Sequence, residues 1–409
     1  MNEDCSHKRN MVLAAVWMAA VMLTACGRGQ EPDREGADAV DRIDQPGQSI
    51  EDLEDGMKEA VVQENPSEAE AERAESDGKD QDDIRKRFGD HCIAEQTFEV
   101  ELSEYPGKVW VVPFLPAQAG EGLEIKIMQD GEVIKELDTY LPADVSGQDF
   151  SSLDAVSFYD MNYDGCTDIV LIETFGDVSF AVVYYGFGEN GSDDPSYFVL
   201  QERLSESLSE QVMPLTVQEI RNFISGGKRN GEFGGYQEAY EAVARLSDMT
   251  EDDYTYDLYY VDEDDIPELA VCRRGYSVSL YTYQDGTIYN LMDHWGYGAM
   301  GNAGYAYAPH KNNIINDNND YAGAILYTTY MEISDRHTIE VTARIETFNF
   351  DDANQNGYPD EEEMESMGLY GVSYIDGVEI SPEEAASYNV GGYEYMEGSM
   401  SMQELLENL

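Results

Sequence analysis

Apolar residues along this chain fall into three regimes, and each predicts a different kind of structure. Residues 11–23 are uninterruptedly apolar and follow the basic pair Lys8 and Arg9. From residue 27 to 88 apolar positions are sparse and unpatterned among Glu, Asp, Gln, Gly and Ala. Beyond residue 91 short apolar runs return, divided by Gly, Pro and Asp. Residues 97–102, 108–114 and 123–128 read as strands, and Asp130-Gly131 turns the chain into 133–137 as a hairpin. Further strands are expected over 155–159, 169–174 and 180–185. The period then lengthens to that of a helix: Val217, Ile220, Phe223 and Ile224 share a face, as do Tyr240, Val243 and Leu246. Glycines at 226–227 and between 231 and 235 interrupt these helices. Strands resume at 256–261, 269–272 and 278–283, with a turn at Asp285-Gly286, and again at 324–333 and 338–350. A short amphipathic helix over 402–409 ends the pattern. The pattern predicts an α+β fold, mainly β: two β-rich modules, 89–215 and 251–409, joined by a helical connector over 216–250.

The first two regimes set the context. A basic start, an apolar run and then Cys26 form an export signal over 1–25. That run falls short of the roughly 20 residues a membrane-spanning helix needs. Segment 26–88 cannot bury enough apolar surface to offset its ordering entropy, so it is expected to be a disordered acidic tether. Its coil dimension would be on the order of 45 Å, and helical stretches over 51–62 or 68–87 are compatible with it. Charge reinforces this reading: 84 acidic residues against 24 basic ones give a formal charge of -60. Nucleic acid is excluded as a partner, because phosphate binding needs Lys and Arg patches. Cations, by contrast, are attracted. Of the five cysteines, Cys5 leaves with the signal and Cys26 precedes the tether, so Cys92, Cys166 and Cys272 allow at most one internal disulfide. Cys92–Cys166 is the favoured pair, against free buried thiols.

The candidate chemistry lies in three acidic loops. In Asp160-Met161-Asn162-Tyr163-Asp164-Gly165-Cys166-Thr167-Asp168, alternate positions 160, 162 and 164 present oxygen to one centre and Gly165 permits the sharp turn. Asp168 returns from the far side, and hard oxygen ligands at this spacing suit calcium. A second copy, with Asp352, Asn354, Asn356, Asp360 and Glu363, satisfies D-x-[DN]-x-[DN]-G-x5-E. Its upstream flank reads as a strand, so a strand–loop–helix calcium loop is expected and a helix–loop–helix EF-hand is not. The third, with Asp262, Asp264 and Glu268, has Tyr260 at the first ligand position and Asp265 in place of glycine. It is the weakest metal candidate and is expected to keep only the strand–turn–strand corner. Against all three stands the simpler reading that Asp, Asn and Gly make good turns by bonding their own backbone.

Two resemblances follow from these residues. Leu23-Thr24-Ala25-Cys26 resembles the lipobox of bacterial lipoproteins. The resemblance implies a lipidated Cys26, anchoring on the extracellular face of the cytoplasmic membrane and a tether that holds the folded part at a distance. The loops resemble FG-GAP or VCBS-type repeats, in which an aromatic strand leads into D-x-[DN]-x-D-G-x-x-[DE] and an apolar strand, here Ile169-Val170-Leu171-Ile172. The copies are too few for a complete propeller. Lipobox, acidic tether and loops together resemble lipoproteins of Gram-positive bacteria, which implies extracellular binding or display.

Catalytic signatures are weak. Ser225-Gly226-Gly227-Lys228 matches S-x-x-K, but its serine ends a helix where that motif needs a helix start. His91, His294, His310 and His337 are scattered and read as structural histidines. Tyr297, Tyr305, Tyr307, Tyr321, Tyr327 and Tyr330 offer a surface for sugar rings or a partner, or ordinary sheet core. The sequence therefore predicts a non-enzymatic, calcium-braced surface lipoprotein that binds an extracellular glycan or protein. An extracellular hydrolase acting on glycan or peptide is the alternative.

Overall fold

Strands dominate because most apolar runs past residue 91 have period two or are continuous over fewer than ten residues. The computed structural model describes residues 74–118, 120–145, 147–187, 197–251, 253–299 and 301–409. The signal segment, Cys26 and the tether up to residue 73 lie outside the described residues. All described residues fall within one compact unit. The fold is α+β and mainly β, as the pattern predicts.

The first sheet is an antiparallel meander of β1 (Phe98–Glu101), β2 (Lys108–Phe114), β3 (Glu124–Gln129) and β4 (Glu132–Glu136). The second follows with β5 (Phe150–Tyr159), β6 (Asp168–Phe175), β7 (Val178–Phe187) and β8 (Tyr197–Leu200). Val109, Val111, Ile125 and Ile127 of the first sheet share a core with Leu171, Phe175, Val182 and Tyr184 of the second. Successive residues of β6 face opposite sides, and both sides are covered: Val170 and Ile172 meet the helices. That double burial explains its unbroken apolar run.

Helix α1 (Ala74–Phe88) occupies the end of the segment expected to be tether. Ile84 and Phe88 pack with Trp110, Phe114 and Cys92 on the outer face of the first sheet. The folded region thus begins earlier than residue 89, because the two apolar residues of an otherwise charged helix find an apolar sheet face. Cys92 lies on this outer face and Cys166 in the β5–β6 loop, and the expected disulfide between them does not form.

Helices α2 (Glu202–Gln211), α3 (Val217–Ser225) and α4 (Tyr236–Thr250) follow. Thr216 caps α3 by accepting the Glu219 N–H, and Gly226 at φ 64° ends it. Helix α4 serves two cores at once: Leu246 and Met249 join the second sheet's outer face, while Tyr240 and Val243 join the third sheet. That third sheet comprises β9 (Thr255–Tyr259), β10 (Glu268–Arg273), β11 (Ser277–Gln284) and β12 (Thr287–Gly296) in the order β12-β11-β10-β9. The hairpin turn into β12 has Asp285 at φ 48° and Gly286 at φ 93°, the left-handed pair a two-residue turn requires.

The fourth sheet has seven strands: β13 (Tyr305–Ala308), β14 (Asn313–Asp320), β15 (Ile325–Ile333), β16 (Ile339–Phe348), β17 (Val372–Ile375), β18 (Val378–Ile380) and β19 (Glu394–Tyr395). They run in the order β18-β17-β16-β15-β14-β13-β19. The third and fourth sheets share a core of Val261, Leu280 and Met292 with Tyr307, Ile314 and Met331. Helix α5 (Pro382–Ser387) packs on β17. The final helix α6 (Met402–Asn408), closed by a Ser401–Glu404 capping box, places Leu405 in the third sheet's core. Of the tyrosines singled out, Tyr307 and Tyr330 are core, Tyr297, Tyr305 and Tyr327 pack against core, and Tyr321 is exposed.

Candidate cation loops

The β5–β6 corner is built by side-chain oxygens that bond the loop's own backbone. Asp160 accepts from the N–H groups of Asp164 (3.1 Å) and Gly165 (3.1 Å), one on each carboxylate oxygen. Asn162 Oδ1 accepts from Asp164 N–H at 3.3 Å, and Asp164 Oδ1 from Cys166 N–H at 2.7 Å. Tyr163 at φ 64° and Gly165 at φ 85° let those amides turn inward. A tyrosine in the left-handed region is unfavourable by itself. Its ring, only 5% exposed, packs 5.9 Å from Phe233, and this burial offsets the strain.

Asp168 closes the corner from the first position of β6. It is fully buried, and its two oxygens accept from Met161 N–H (2.6 Å) and Gly186 N–H (2.9 Å). The sequence assigns it as a returning metal ligand; the structure makes it a clamp on two buried amides.

The loop at 352–363 repeats this bonding. Asp352 accepts from Asn356 N–H (3.1 Å) and Gly357 N–H (3.2 Å). Asn354 Oδ1 accepts from Asn356 N–H, and Asn356 Oδ1 from Tyr358 N–H. Left-handed positions recur at Gln355 (φ 58°) and Gly357 (φ 81°). Glu363 bends back over the loop and accepts from Asn354 and Asp360 N–H groups. Asp360 Oδ1 accepts from the N–H groups of Glu362 and Glu363 and so caps the following turn. That turn is a single 3-10 segment, Glu363–Ser366, where an α-helix was expected.

The loop at 260–268 keeps part of the pattern. Asp262 Oδ1 accepts from Asp264 N–H and Asp264 Oδ1 from Ile266 N–H. Glu268 is fully buried and accepts from Val261 N–H (2.9 Å) and Thr282 Oγ1 (3.1 Å), which parallels Asp168. With Tyr260 in place of an acid, the first-position bonds are missing; the ring is 41% exposed and stacks on His310 at 5.0 Å. Neither Glu263 nor Asp265 takes a positive φ.

Burial sets the electrostatics. It pushes Asp160 up to about 7, helped by the charge of Asp164. Asp164 is raised by burial against the pull of its bonds from Cys166 and Asn162. Asp168 rises well above the carboxylate range through burial and then the charges of Asp164 and Asp160. Glu268 is pushed up to about 8, again chiefly by burial. The oxygen set Asp160, Asn162 and Asp164 fits a hard divalent cation in donor type, and a cation would relieve this crowding. Among the described residues, however, no three His, Cys, Asp or Glu side chains converge as a ready-made metal group.

Two features escaped the sequence reading. On β12, Asp293 Oδ1 meets His294 Nδ1 at 2.5 Å, and His294 Nε2 meets Tyr254 Oη at 3.1 Å. The side chain is half exposed, and against partial desolvation the adjacent Asp293 carboxylate raises the imidazole above its ordinary value. Adjacent Asp-His was the available signal; Tyr254 is remote in sequence. Second, a polar cleft of about 710 Å³ opens beside the loop at 260–268, lined by Asp262, Asp264, Glu332, Asp335, Lys311 and His337. Ser225, in the S-x-x-K match, donates its hydroxyl to the Arg221 and Lys228 carbonyls at the end of α3. No model of a known protein family, no curated protein and no solved structure matches the chain.

Proposed function

We propose that this chain is a membrane-anchored extracellular lipoprotein, lipidated at Cys26, that acts without catalysis as a calcium-braced surface protein binding a glycan or protein. The observation that carries the calcium reading is the shared ladder in two loops remote in sequence. In both, a first-position aspartate accepts from the fifth and sixth amides, and two alternate Asx oxygens accept in series. A cation would need the remaining lone pairs of these oxygens to turn to one centre, and the local excess of negative charge supplies the attraction. Calcium then stabilises the loops, with an affinity that in an extracellular module can be as weak as about 10⁻⁴ to 10⁻³ M. The cleft beside Asp262 and Asp264, lined by His337, whose ring stacks on Tyr289, is the candidate seat for the ligand.

Calorimetry on the wild type, Asp160→Ala and Asp352→Ala tests this. Each variant is expected to lose one class of calcium heat; absence of heat in the wild type, with melting unchanged by chelator, overturns the reading. Cys26→Ser is expected to move the protein from the membrane fraction to the soluble one.

The Tyr254–His294–Asp293 chain of contacts favours a second reading, a hydrolase in which His294 acts as a general base. Turnover of any member of a glycan and peptide panel, abolished by His294→Ala, would replace the binding reading with this one.

A further inference from the structure

The segment that leads into β17 leaves large apolar side chains in water. Met364 is 36% exposed, Met367 39%, Tyr370 45% and Leu369 80%. Met364 and Met367 stand three residues apart at the 3-10 turn Glu363–Ser366, a spacing that puts both on one side of it. Hydrogen bonds tie this segment to the turn at 321–324 before β15. Gly368 N–H donates to Asn349 O (2.7 Å), Asn349 N–H to Ala324 O (2.8 Å) and Asn349 Nδ2 to Gly323 O (2.8 Å). The Met367 methyl lies against Gly323, 3.6 Å from where a β-carbon would stand. The same turn carries Tyr321, 52% exposed. Five apolar side chains from two stretches therefore gather at the end of the fourth sheet where β15 begins and β16 finishes.

The turn is held against local preference. Tyr321 (φ 49°), Ala322 (φ 56°) and Gly323 (φ 94°) are left-handed in succession, which is unfavourable for the two residues that are not glycine. Tyr163 has the same strain, but there the buried ring offsets it. The Tyr321 ring stays half in water, so it gains that burial only when something covers it.

The charge around these side chains says what fits. Asp320 precedes Tyr321, Glu365 stands between the methionines, and Asp351 donates its N–H to Ser366 Oγ at 2.9 Å. All three acids are exposed, and no Lys or Arg occurs in the chain after Arg344. Apolar surface rimmed by charge marks an interaction site. A second copy of this chain would bring the same negative rim, and like charges across an interface oppose association. An anionic lipid surface is repelled for the same reason.

We propose that this surface docks a basic protein segment. Apolar side chains of the partner seat on Tyr321, Met364, Met367, Leu369 and Tyr370, and its lysines or arginines meet Asp320, Asp351 and Glu365. The proposal rests on the binding reading, which it narrows from glycan or protein to protein, and it requires neither calcium nor the Cys26 anchor.

The test uses the full chain and a labelled amphipathic peptide of leucine and lysine, followed by fluorescence anisotropy at about 0.15 M salt. A lysine peptide of equal charge without leucine and a leucine–glutamate peptide are the controls. The leucine–lysine peptide is expected to bind at least about tenfold more tightly than either, and Met367→Ser with Leu369→Ser should remove that advantage. Val133→Ser with Ile134→Ser, which alters exposed apolar residues on β4, should leave it unchanged. Tyr321→Gly should raise the melting temperature of the free chain by relieving the turn and still weaken the peptide, which a purely structural tyrosine would not do. Failure of the wild type to prefer the leucine–lysine peptide, or a preference that survives Met367→Ser with Leu369→Ser, overturns the docking surface. So does self-association, or binding to vesicles of anionic lipid, that the same two substitutions abolish. A glycan that binds while no peptide does overturns the narrowing to protein and leaves the binding reading standing.

Discussion

The β5–β6 and β9–β10 corners are the same device with different contents. Each joins two antiparallel strands and ends on a fully buried acid, Asp168 or Glu268, that holds a backbone amide seven residues back. The first adds an aspartate at its opening position and two left-handed residues; the second has an exposed tyrosine there and no positive φ. The comparison separates two roles that the acidic pattern alone runs together. The buried terminal acid makes the corner, and the opening aspartate with its inward amides is what the proposed calcium loop adds to it.

The largest way to break this comparison is Tyr163→Ala. Removing a buried aromatic is expected to cost about 3–4 kcal/mol in denaturant unfolding, whereas Glu263→Ala, at the exposed equivalent position, should be nearly neutral. Next, Asp168→Ala and Glu268→Ala should each destabilise by about 2–3 kcal/mol, because buried N–H groups lose their acceptor. If Glu268→Ala is silent, the two corners are not equivalent.

A pH series comes third. In chelator, Asp160 titrates at about 7 in the folded state, and Glu268 and Glu173 at about 8, all raised chiefly by burial. Folded-state values above the unfolded ones near 4 mean that the native state holds more protons between those limits. These groups therefore contribute their full stability below about pH 4 and lose it as pH rises to about 8. Melting temperature in chelator should fall over that range, and Glu173→Gln should flatten the decline. Calcium should restore stability near pH 8 in the wild type and fail to do so when Asp160 and Asp352 are both alanine.

The smallest effect sharpens the comparison by construction. Tyr260→Asp with Asp265→Gly supplies the missing acceptor and a residue free to take positive φ. A new, weak calcium response in the millimolar range is expected in calorimetry on an Asp160→Ala, Asp352→Ala background.

Much of this was legible along the chain. The strands, the Asp-Gly turns and the connector helices follow from local period and turn chemistry, and the loops followed from alternate oxygens closing on glycine. Strands β13 and β14 were not anticipated, since Asn316, Asp317, Asn318 and Asn319 show no apolar period. They hold because β14 pairs with β15 along its whole length. The two buried amides that Asp168 holds were not legible, because spacing shows which oxygens can converge and says nothing about which amides compete for them.

The sequence by itself determined the local devices: mainly β composition, the acid-rich corners, and a charge that repels anions and attracts cations. These depend on neighbours a few residues away, through turn geometry and side-chain-to-backbone bonds. Only the tertiary structure decided that Tyr163 packs into the third sheet's core, that His294 meets Tyr254, and that α4 serves two cores. Those depend on which surfaces meet, and desolvation at such a meeting sets the raised carboxylates.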